Sequence, residues 1–399
     1  MKILFINVPA DGHVNPTLAL VKELVDRGNK VVYYIDEPLK SKVKKMGAEV
    51  RSSNTPTIDD INFELVLHYL KTNIDFIEKL INEKEHFDCL IHDSFYFFGK
   101  KVGQLLGIKT ISSHTTFAKN NEMLAEIMKN QVGKMYAVFA QFRESQEAKS
   151  VLRKYKELLK MDFFAEILNL MAEKADLNIV YTSRFFQPRE ETFDESFKFV
   201  GPSVIDRKEK MDLQLDYSGN EKIIFISHGT VYNKSLNFYL TCFEAFKDMD
   251  CRFVMSAGKS INIESLGDIP ENFTVHNYVP QLEVLRKASA FITHGGMNST
   301  SEGLYFGLPL LVIPQEVDQP IVARQVETLG AGIVVDKDNI TSQILRSSLE
   351  KILNDESYKE NAMLVRKSFI NSGGYKKAVD EILNLLEDDN QSMEKAIII

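Results

Sequence analysis

Residues 290–303 read AFITHGGMNSTSEG, and this passage says more about the fold than any other in the chain. Its residues 290–293 are apolar or β-branched and fit a short buried strand, and the polar residues after Gly295 and Gly296 fit the first turn of a helix. A strand that enters a helix through a glycine turn is typical of the βα units of a parallel sheet. The backbone N–H groups at the start of such a helix bind anions, so the passage predicts a phosphate site. A plain βα connection capped by a serine would read the same way.

The same alternation of strands and helices continues on both sides of this passage. Strand patterns recur at residues 2–8, 30–35, 87–92, 109–112, 178–181, 222–227, 251–256, 273–276 and 309–313. Amphipathic helical patterns lie between them, such as the apolar spacing of Leu18, Val21 and Leu24. The predicted fold class is therefore α/β, with two Rossmann-like doubly wound parallel-sheet domains that face a central cleft. We expect the ligands in that cleft, because such sheets bind ligands at the carboxyl ends of their strands.

A polar, charged run from about 202 to 220 interrupts this alternation and predicts the domain boundary. We expect an N-terminal domain at residues 1–205, a linker at 206–220, a C-terminal domain at 221–374 and a final helical segment at 375–399. A chain of 399 residues is also too long for one ordinary core, so two domains are the expectation on length alone.

Composition excludes several classes of function. The net charge is -8 and no dense Lys/Arg stripe is present, which argues against a nucleic-acid partner. Cys89, Cys242 and Cys251 are far apart and odd in number, so neither a disulfide framework nor a zinc site is indicated. No signal-peptide pattern and no apolar run of membrane-spanning length occurs, and a cytoplasmic protein without a membrane span, a monomer by default, is expected.

A histidine follows the first strand, in the passage PADGHVNP at 9–16. Asn15 suits an N-cap and Pro16 the first helical position, so we expect the helix to begin there and to end near Gly28. His13 would then lie on the strand-to-helix turn, at the carboxyl end of the first strand. A histidine that only satisfies the hydrogen bonds of its own loop is the alternative.

A general base needs a carboxylate that orients its imidazole, and Asp93 is the candidate. It closes the strand run 87–92 and should emerge at the same edge of the sheet as His13. An N-cap for a helix that begins near Ser94 explains Asp93 equally well.

Three further passages offer binding groups. SHGT at 227–230 and PQEVDQ at 314–319 follow predicted strands, and the latter suits the hydroxyls of a sugar. The region 117–174 is rich in Met and Phe, including Met135 and Phe139. Helix packing is the simplest explanation for this region, and an adaptable apolar pocket for a bulky ligand is the alternative.

Together these residues resemble the GT-B nucleotide-sugar glycosyltransferases, in the macrolide and natural-product branch related to plant and animal UDP-glycosyltransferases. The resemblance runs from the GHVNP passage at 12–16 to the block at 294–319, which is similar to the plant secondary-product glycosyltransferase box. Gly295 and Met297 stand where the plant box has Cys and Trp, and bacterial members often share this departure.

The resemblance implies roles for individual residues. His13 would be the base and Asp93 its orienting partner. His294, Asn298 and Ser299 would contact the diphosphate, Glu302 the ribose, the segment 278–281 the uracil, and Asp318 with Gln319 the sugar. The residues implied to bind the nucleotide-sugar donor are Ser227, Gly229, Thr230, Tyr278, Val279, Gln281, His294, Gly296, Asn298, Ser299, Glu302, Asp318 and Gln319. For the acceptor we expect Ser113, His114, Met135 and Phe139, and the final helix is expected to cross back onto the N-terminal domain.

The resulting prediction is an inverting, metal-independent transfer of a sugar, with glucose expected, from a UDP-sugar co-substrate to a hydroxyl of a macrolide, flavonoid, phenolic or polyketide acceptor. The helix after Gly296 would stabilise the departing diphosphate without a cation. The D-x-D strings at 248–250 and 336–338 are better read as solvated turns than as metal ligands. A dehydrogenase would need G-x-G-x-x-G after the first strand, which is absent. A catalytically silent nucleotide-sugar binder with a regulatory role remains the alternative.

Overall fold

The computed structural model describes residues 1–56, 62–129, 132–205, 221–229, 236–316 and 318–397. The strands are β1 Lys2–Ile6, β2 Lys30–Tyr34, β3 Glu49–Arg51, β4 Cys89–Asp93, β5 Lys109–His114, β6 Leu177–Val180, β7 Phe197–Phe199, β8 Lys222–Ser227, β9 Cys251–Ser256, β10 Phe273–His276, β11 Ala290–Thr293, β12 Leu310–Val312 and β13 Gly332–Val334. The helices are α1 Asp11–Val14, α2 Thr17–Asp26, α3 Lys40–Lys44, α4 Phe63–Asn82, α5 Gly99–Leu106, α6 Asn121–Lys129, α7 Val132–Glu144, α8 Gln146–Leu159, α9 Phe163–Ala172, α10 Leu236–Phe246, α11 Gln281–Lys287, α12 Met297–Tyr305, α13 Gln319–Thr328, α14 Ser342–Asn354, α15 Glu356–Asn371 and α16 Gly374–Ile397.

The chain divides into two compact units. Unit 1 comprises Met1–Tyr181, Arg189–Ser203 and Ser372–Ile399, and unit 2 comprises Thr182–Pro188 and Val204–Asn371. The predicted linker at 206–220 lies outside the described residues. Among the described helices, none combines the length and apolar composition that crossing a membrane requires.

Unit 1 is built on a seven-stranded parallel sheet with the order β3-β2-β1-β4-β5-β6-β7. Side chains alternate between the two faces, so Leu4 and Leu90 pack into the core beneath α4 and α8, while Phe5 stacks on Tyr33 on the opposite face. Helix α2 packs on β2, and α16 packs on α2. Buried apolar side chains on both faces explain the near-continuous apolar strands that the sequence displays.

Helix α16 belongs to unit 1 and is held there by charged as well as apolar contacts. Arg27, the C-cap of α2, donates to Asp380, and Lys198 on β7 pairs with Glu381 at 3.4 Å. Val379 and Ile382 on the same helix are fully buried. The apolar stripe fixes the helix on the unit, and the ion pairs at its border are solvent-accessible and contribute little.

Unit 2 is built on a six-stranded parallel sheet with the order β10-β9-β8-β11-β12-β13. Helices α10 and α14 cover one face, where Tyr239, Phe246 and Leu345 are fully buried against β8 and β9 residues such as Ile224 and Phe253. Helix α12 contacts β11 and β12. The predicted α/β class with two parallel-sheet domains is confirmed.

The strand patterns in the sequence do not include three strands, β3, β7 and β13, although a late strand is expected before the 336–338 string, where β13 lies. Each is three residues long and lies at the edge of its sheet. An edge strand pairs on one side only and is partly exposed, so it needs no long apolar run; in β3 the central Val50 is flanked by the charged Glu49 and Arg51. Such a strand carries little periodic signal.

The structure also differs from expectation around His13. A short helix, α1, already includes His13, because the N–H groups of His13 and Val14 both bond to the carbonyl of Ala10 at 3.0 Å. Pro16 is the N-cap of α2 and Asn15 closes α1, so Asn15 is not the N-cap that the sequence suggests. Gly28 ends the helix with a φ of 83°, as expected.

Candidate functional site

His13 lies at the carboxyl edge of the first sheet and bonds directly to Asp93, the last residue of β4. His13 Nδ1 is 2.8 Å from Asp93 Oδ2. The Asp93 side chain is fully buried, whereas 22% of the His13 side chain is exposed. Strands β1 and β4 are neighbours in a parallel sheet, so their carboxyl ends present both residues at one edge. The structure thus brings together the two residues that were singled out as base and partner.

The second carboxylate oxygen of Asp93 is also engaged. Asp93 Oδ1 accepts the N–H of Phe95 at 2.7 Å, and the Asp93 carbonyl accepts the N–H of Tyr96 at 2.9 Å. Asp93 therefore stabilises the turn that follows β4, while α5 begins only at Gly99. The alternative reading of Asp93 as the N-cap of a helix near Ser94 is therefore wrong, because Phe98 is the N-cap of α5 and Asp93 Oδ1 instead bonds within the preceding turn.

Two residues near His13 escaped the sequence analysis. Thr115 directly follows β5, and its Oγ1 lies 3.2 Å from His13 Nδ1. The edge of the His13 ring packs against Phe95, with ring centroids 5.1 Å apart and an interplanar angle of 87°. Lys119 Nζ lies 3.4 Å from the centroid of the same Phe95 ring. Both Thr115 and Phe95 follow strand ends, which is the signal that could have found them.

This arrangement suits proton abstraction. A carboxylate accepts from Nδ1–H and thereby fixes the tautomer in which Nε2 carries the lone pair. The same carboxylate stabilises the imidazolium that forms when Nε2 takes up a proton. Because Asp93 is buried and bonded twice, the imidazole is oriented before any substrate binds.

In unit 2, His294 is enclosed by two glycines. A Cβ atom on Gly229 would lie 2.6 Å from His294 Cε1, and one on Gly296 would lie 2.5 Å from His294 Nε2. Gly229 also has a φ of 77°, a conformation that disfavours other residues. Burial lowers the pKa of His294 to about 4, and the neighbouring His228 lowers it as well. At neutral pH His294 is thus an uncharged imidazole that offers one N–H donor.

The N-terminus of α12 has the features of an anion site. Gly296 is its N-cap and provides no side-chain cap, and the first turn contains no acidic residue. Asn298 and Ser299 in that turn are partly exposed. The N–H groups of a first helical turn point towards such a start, and the helix dipole favours negative charge there.

Three of the residues predicted to bind the nucleotide sugar contact one another beside this helix. Gln281, the first residue of α11, donates through Nε2 to Glu302 Oε2 at 2.6 Å and to Ser299 Oγ at 3.5 Å. Glu302 is buried. Elsewhere in the 278–281 segment, Tyr278 is 46% exposed and Val279 is buried. The segment therefore offers an accessible aromatic ring at Tyr278 and, at Gln281, an amide that fixes the Glu302 carboxylate.

The remaining predicted donor residues lie at strand ends of the same unit. Gln319 is buried, and its Oε1 accepts the N–H of Gln315 at 2.9 Å, so the amide N–H₂ is the group it has to offer a ligand. Asp318 is partly exposed and precedes α13 as its N-cap. Ser227 is buried at the end of β8. Thr230 lies outside the described residues.

The four predicted acceptor residues are dispersed in unit 1. Ser113 and His114 are buried on β5, where the Ser113 hydroxyl bonds to Tyr181 Oη at 3.3 Å. Met135 and Phe139 lie on α7, and the ring of Phe139 packs against Phe164 with centroids 4.7 Å apart. Phe139 therefore has a packing role, and an acceptor role for these four residues stays a prediction.

Both D-x-D strings lie on exposed turns. Asp248 and Asp250 separate α10 from β9, and Asp336 caps a short 3₁₀ helix at Lys337–Asn339 by accepting the N–H of Asp338 at 3.0 Å. Each string is thus accounted for by local turn structure.

Comparison with known proteins identifies the family. Residues 241–385 match the model described as "Erythromycin biosynthesis protein CIII-like, C-terminal domain". The chain is 39% identical to "Uncharacterized UDP-glucosyltransferase YojK" from Bacillus subtilis (strain 168), with 98% of each chain aligned. It is 26% identical to "Oleandomycin glycosyltransferase" from Streptomyces antibioticus, over 95% of this chain and 90% of that protein. A crystal structure of the "Glycotransferase of kitacinnamycin" matches with a TM-score of 0.80 and 29% identity, over 96% of this chain and 97% of that one. The chain therefore belongs to the GT-B glycosyltransferases, in the branch of bacterial macrolide and natural-product enzymes.

Proposed function

We propose that this glycosyltransferase transfers a sugar, with glucose expected, from a UDP-sugar to a hydroxyl group of a bulky apolar or aromatic small molecule, with inversion at the anomeric carbon. The observation that carries the proposal is the hydrogen bond of 2.8 Å between His13 Nδ1 and the buried Asp93 carboxylate. The UDP-glucosyltransferase name of the Bacillus subtilis relative supports the donor, and the names of the macrolide-type relatives support the acceptor class.

His13 acts as the general base. Its Nε2 takes the proton of the acceptor hydroxyl, and the oxygen attacks the anomeric carbon as the bond from that carbon to the diphosphate oxygen breaks. UDP leaves with the electron pair, and a single in-line displacement converts an α-linked donor into a β-glycoside. Asp93 stabilises the imidazolium throughout this step.

Unit 2 binds the departing diphosphate. Negative charge grows on the diphosphate in the transition state, and the N–H groups at the start of α12, with Asn298 and Ser299, stabilise it. His294 adds a neutral N–H donor, because its pKa of about 4 keeps it unprotonated at neutral pH. These donors supply what a divalent cation would otherwise provide.

Other residues of unit 2 recognise the ribose, the uracil and the sugar of the UDP-sugar. Glu302, oriented by Gln281, accepts from the ribose hydroxyls, and the exposed Tyr278 ring stacks on the uracil. Asp318 and the amide N–H₂ of Gln319 bind the sugar hydroxyls. On the acceptor side, Phe95 offers an aromatic edge directly beside the His13 ring.

The proposal is tested by incubating the purified protein with UDP-glucose and a panel of phenolic, flavonoid and macrolide acceptors in the presence of EDTA, with detection by mass spectrometry. We expect acceptors to gain a hexose despite the chelator. His13→Ala should bind UDP as tightly as the wild type and lose transfer by about 100-fold or more. His68→Ala is the matched control, because His68 lies exposed on α4.

The outcomes separate the proposal from its alternatives. Full activity of His13→Ala would remove His13 as the base. Donor binding without product from any acceptor in the panel, or from other UDP- and TDP-sugars, would favour a silent nucleotide-sugar binder. Activity that appears only with added divalent cation would refute the metal-independent mechanism.

A further inference from the structure

The backbone of the short helix that contains His13 is held by two buried side chains. Asn7 Nδ2 donates to the carbonyl oxygen of His13 at 3.1 Å, and Thr17 Oγ1 donates to the carbonyl oxygen of Val14 at 2.8 Å. Asn7 follows β1 and is 6% exposed, and Thr17 begins α2 and is fully buried. The last two residues of α1 are therefore fixed from both sides.

Tyr33 on β2 joins these two side chains. Its hydroxyl oxygen accepts a hydrogen bond from Asn7 Nδ2 and lies 2.9 Å from Thr17 Oγ1. Tyr33 is fully buried, and its ring stacks on Phe5 with centroids 4.4 Å apart. Burial raises the pKa of the Tyr33 phenol above its ordinary value, so the hydroxyl keeps its proton.

The donors and acceptors of this cluster allow a single direction of hydrogen bonding. The Thr17 hydrogen goes to the Val14 carbonyl, so the Thr17 oxygen must accept from Tyr33. The Tyr33 oxygen in turn accepts from one N–H of Asn7, whose other N–H goes to the His13 carbonyl. The amide oxygen of Asn7 accepts the N–H of Val8 at 2.8 Å. Such a chain, running N–H to O–H to O–H to carbonyl, is mutually reinforcing in a buried site.

We propose that Asn7, Tyr33 and Thr17 are positioning residues for the reaction, and that the Tyr33 hydroxyl sets the placement of the His13 imidazole. Helix α1 has only four residues and cannot define its own position. The reach of Nδ1 to Asp93 depends on where the His13 main chain lies, and Asn7 holds that main chain directly. This inference rests on the proposed role of His13 as base.

The test is Tyr33→Phe, which removes one oxygen atom and leaves the stacked ring in place. The variant leaves an N–H of Asn7 and the acceptor oxygen of Thr17 unpaired in a buried site, so α1 shifts to satisfy them. We expect kcat to fall about tenfold while the affinity for UDP changes less than twofold, because small displacements of a catalytic group cost rate more than binding. Tyr34→Phe is the matched control, since Tyr34 is the next residue of β2 and bonds to Arg51 at 3.3 Å instead.

Thr17 provides a second test that does not depend on a buried tyrosine. Thr17→Val keeps the shape and removes the hydroxyl, whereas Thr17→Ser keeps the hydroxyl. We expect Thr17→Val to lose rate as Tyr33→Phe does, and Thr17→Ser to retain it within about twofold.

A double-mutant comparison distinguishes positioning of His13 from general loosening of the fold. If Tyr33 acts through the imidazole, adding Tyr33→Phe to His13→Ala leaves the residual rate unchanged. The inference is overturned if Tyr33→Phe has the wild-type kcat, or if Tyr33→Phe lowers the rate by the same factor in the wild type and in His13→Ala. Either result leaves the proposed function intact. Full activity of His13→Ala overturns the proposed function itself.

Discussion

Replacing Asp93 by Asn probes the His13–Asp93 pair with little change of shape. Asparagine can keep its carbonyl oxygen in the place of Oδ1, where Asp93 accepts the Phe95 N–H at 2.7 Å. Its N–H₂ group then replaces Oδ2, which lies 2.8 Å from His13 Nδ1. A donor at that position makes Nδ1 an acceptor and moves the ring proton to Nε2, where no lone pair remains to take a proton from the acceptor hydroxyl.

The magnitude follows from this change of tautomer together with the loss of the charge that stabilises the imidazolium. We expect kcat to fall by about 10³- to 10⁴-fold, which corresponds to about 4–5.5 kcal/mol of transition-state stabilisation. UDP affinity should stay within about twofold, because the groups proposed to bind UDP belong to unit 2.

The assay is the initial rate of hexose transfer measured by mass spectrometry, with UDP affinity from calorimetry on the same samples. Asp26→Asn is the control, since Asp26 forms an exposed pair with Lys22 on α2 and should change neither quantity. A rate for Asp93→Asn within tenfold of the wild type would refute the reasoning, because a base in the wrong tautomer could not support it.

Two further predictions concern the glycine next to His294 and the buried histidines. Gly229→Ala should raise the Kd for UDP at least tenfold in calorimetry, because its Cβ would lie 2.6 Å from His294. Gly28→Ala is the control: Gly28 has a similar positive φ but open space around it, so the substitution should only lower the free energy of unfolding, by about 1–2 kcal/mol. His114 has a pKa lowered to about 3 by burial against about 6.5 when unfolded, so the unfolded state binds the proton first as pH falls below 6.5. The free energy of unfolding is therefore unaffected by His114 above pH 6.5 and falls between pH 6.5 and about 3, by about 1.4 kcal/mol per pH unit. His114→Asn should remove this contribution, so that the free energy of unfolding measured in urea depends less steeply on pH. An unchanged slope would contradict the lowered pKa.

The proximity of His13 and Asp93 could be anticipated, although the residues are 80 positions apart. In a parallel sheet all carboxyl ends lie at one edge, so any two polar residues that follow strands are candidates for contact. The sequence does not disclose which strands are neighbours. The order β3-β2-β1-β4 places β4 next to β1 by skipping two intervening strands, and that adjacency brings Asp93 within hydrogen-bonding distance.

Groups that support the site through buried hydrogen bonds could not be anticipated. Tyr33 belongs to the run KVVYY, which reads as an apolar strand, and its hydroxyl matters only because Asn7 and Thr17 converge on it. Likewise, Gln281 and Glu302 were expected to face different parts of a nucleotide, but they bond to each other at 2.6 Å. A convergence of three or more segments is a property of packing, and no local pattern records it.

The position of Asp93 is ultimately a result of core packing. Side chains alternate along β4, so His92 and Asp93 face opposite sides of the sheet, and His92 pairs in register with Ile6 and Ser112. The His92 ring fits against Gly99 so closely that a Cβ there would lie 2.2 Å from it. A slip by one residue would turn the Asp93 side chain to the other face of the sheet and separate the buried carboxyl group from its His13 and Phe95 partners, at a cost of several kcal/mol. The close fit of His92 on α5 thus fixes the register that presents Asp93 to His13, so a larger residue at 99 should impair both folding and transfer.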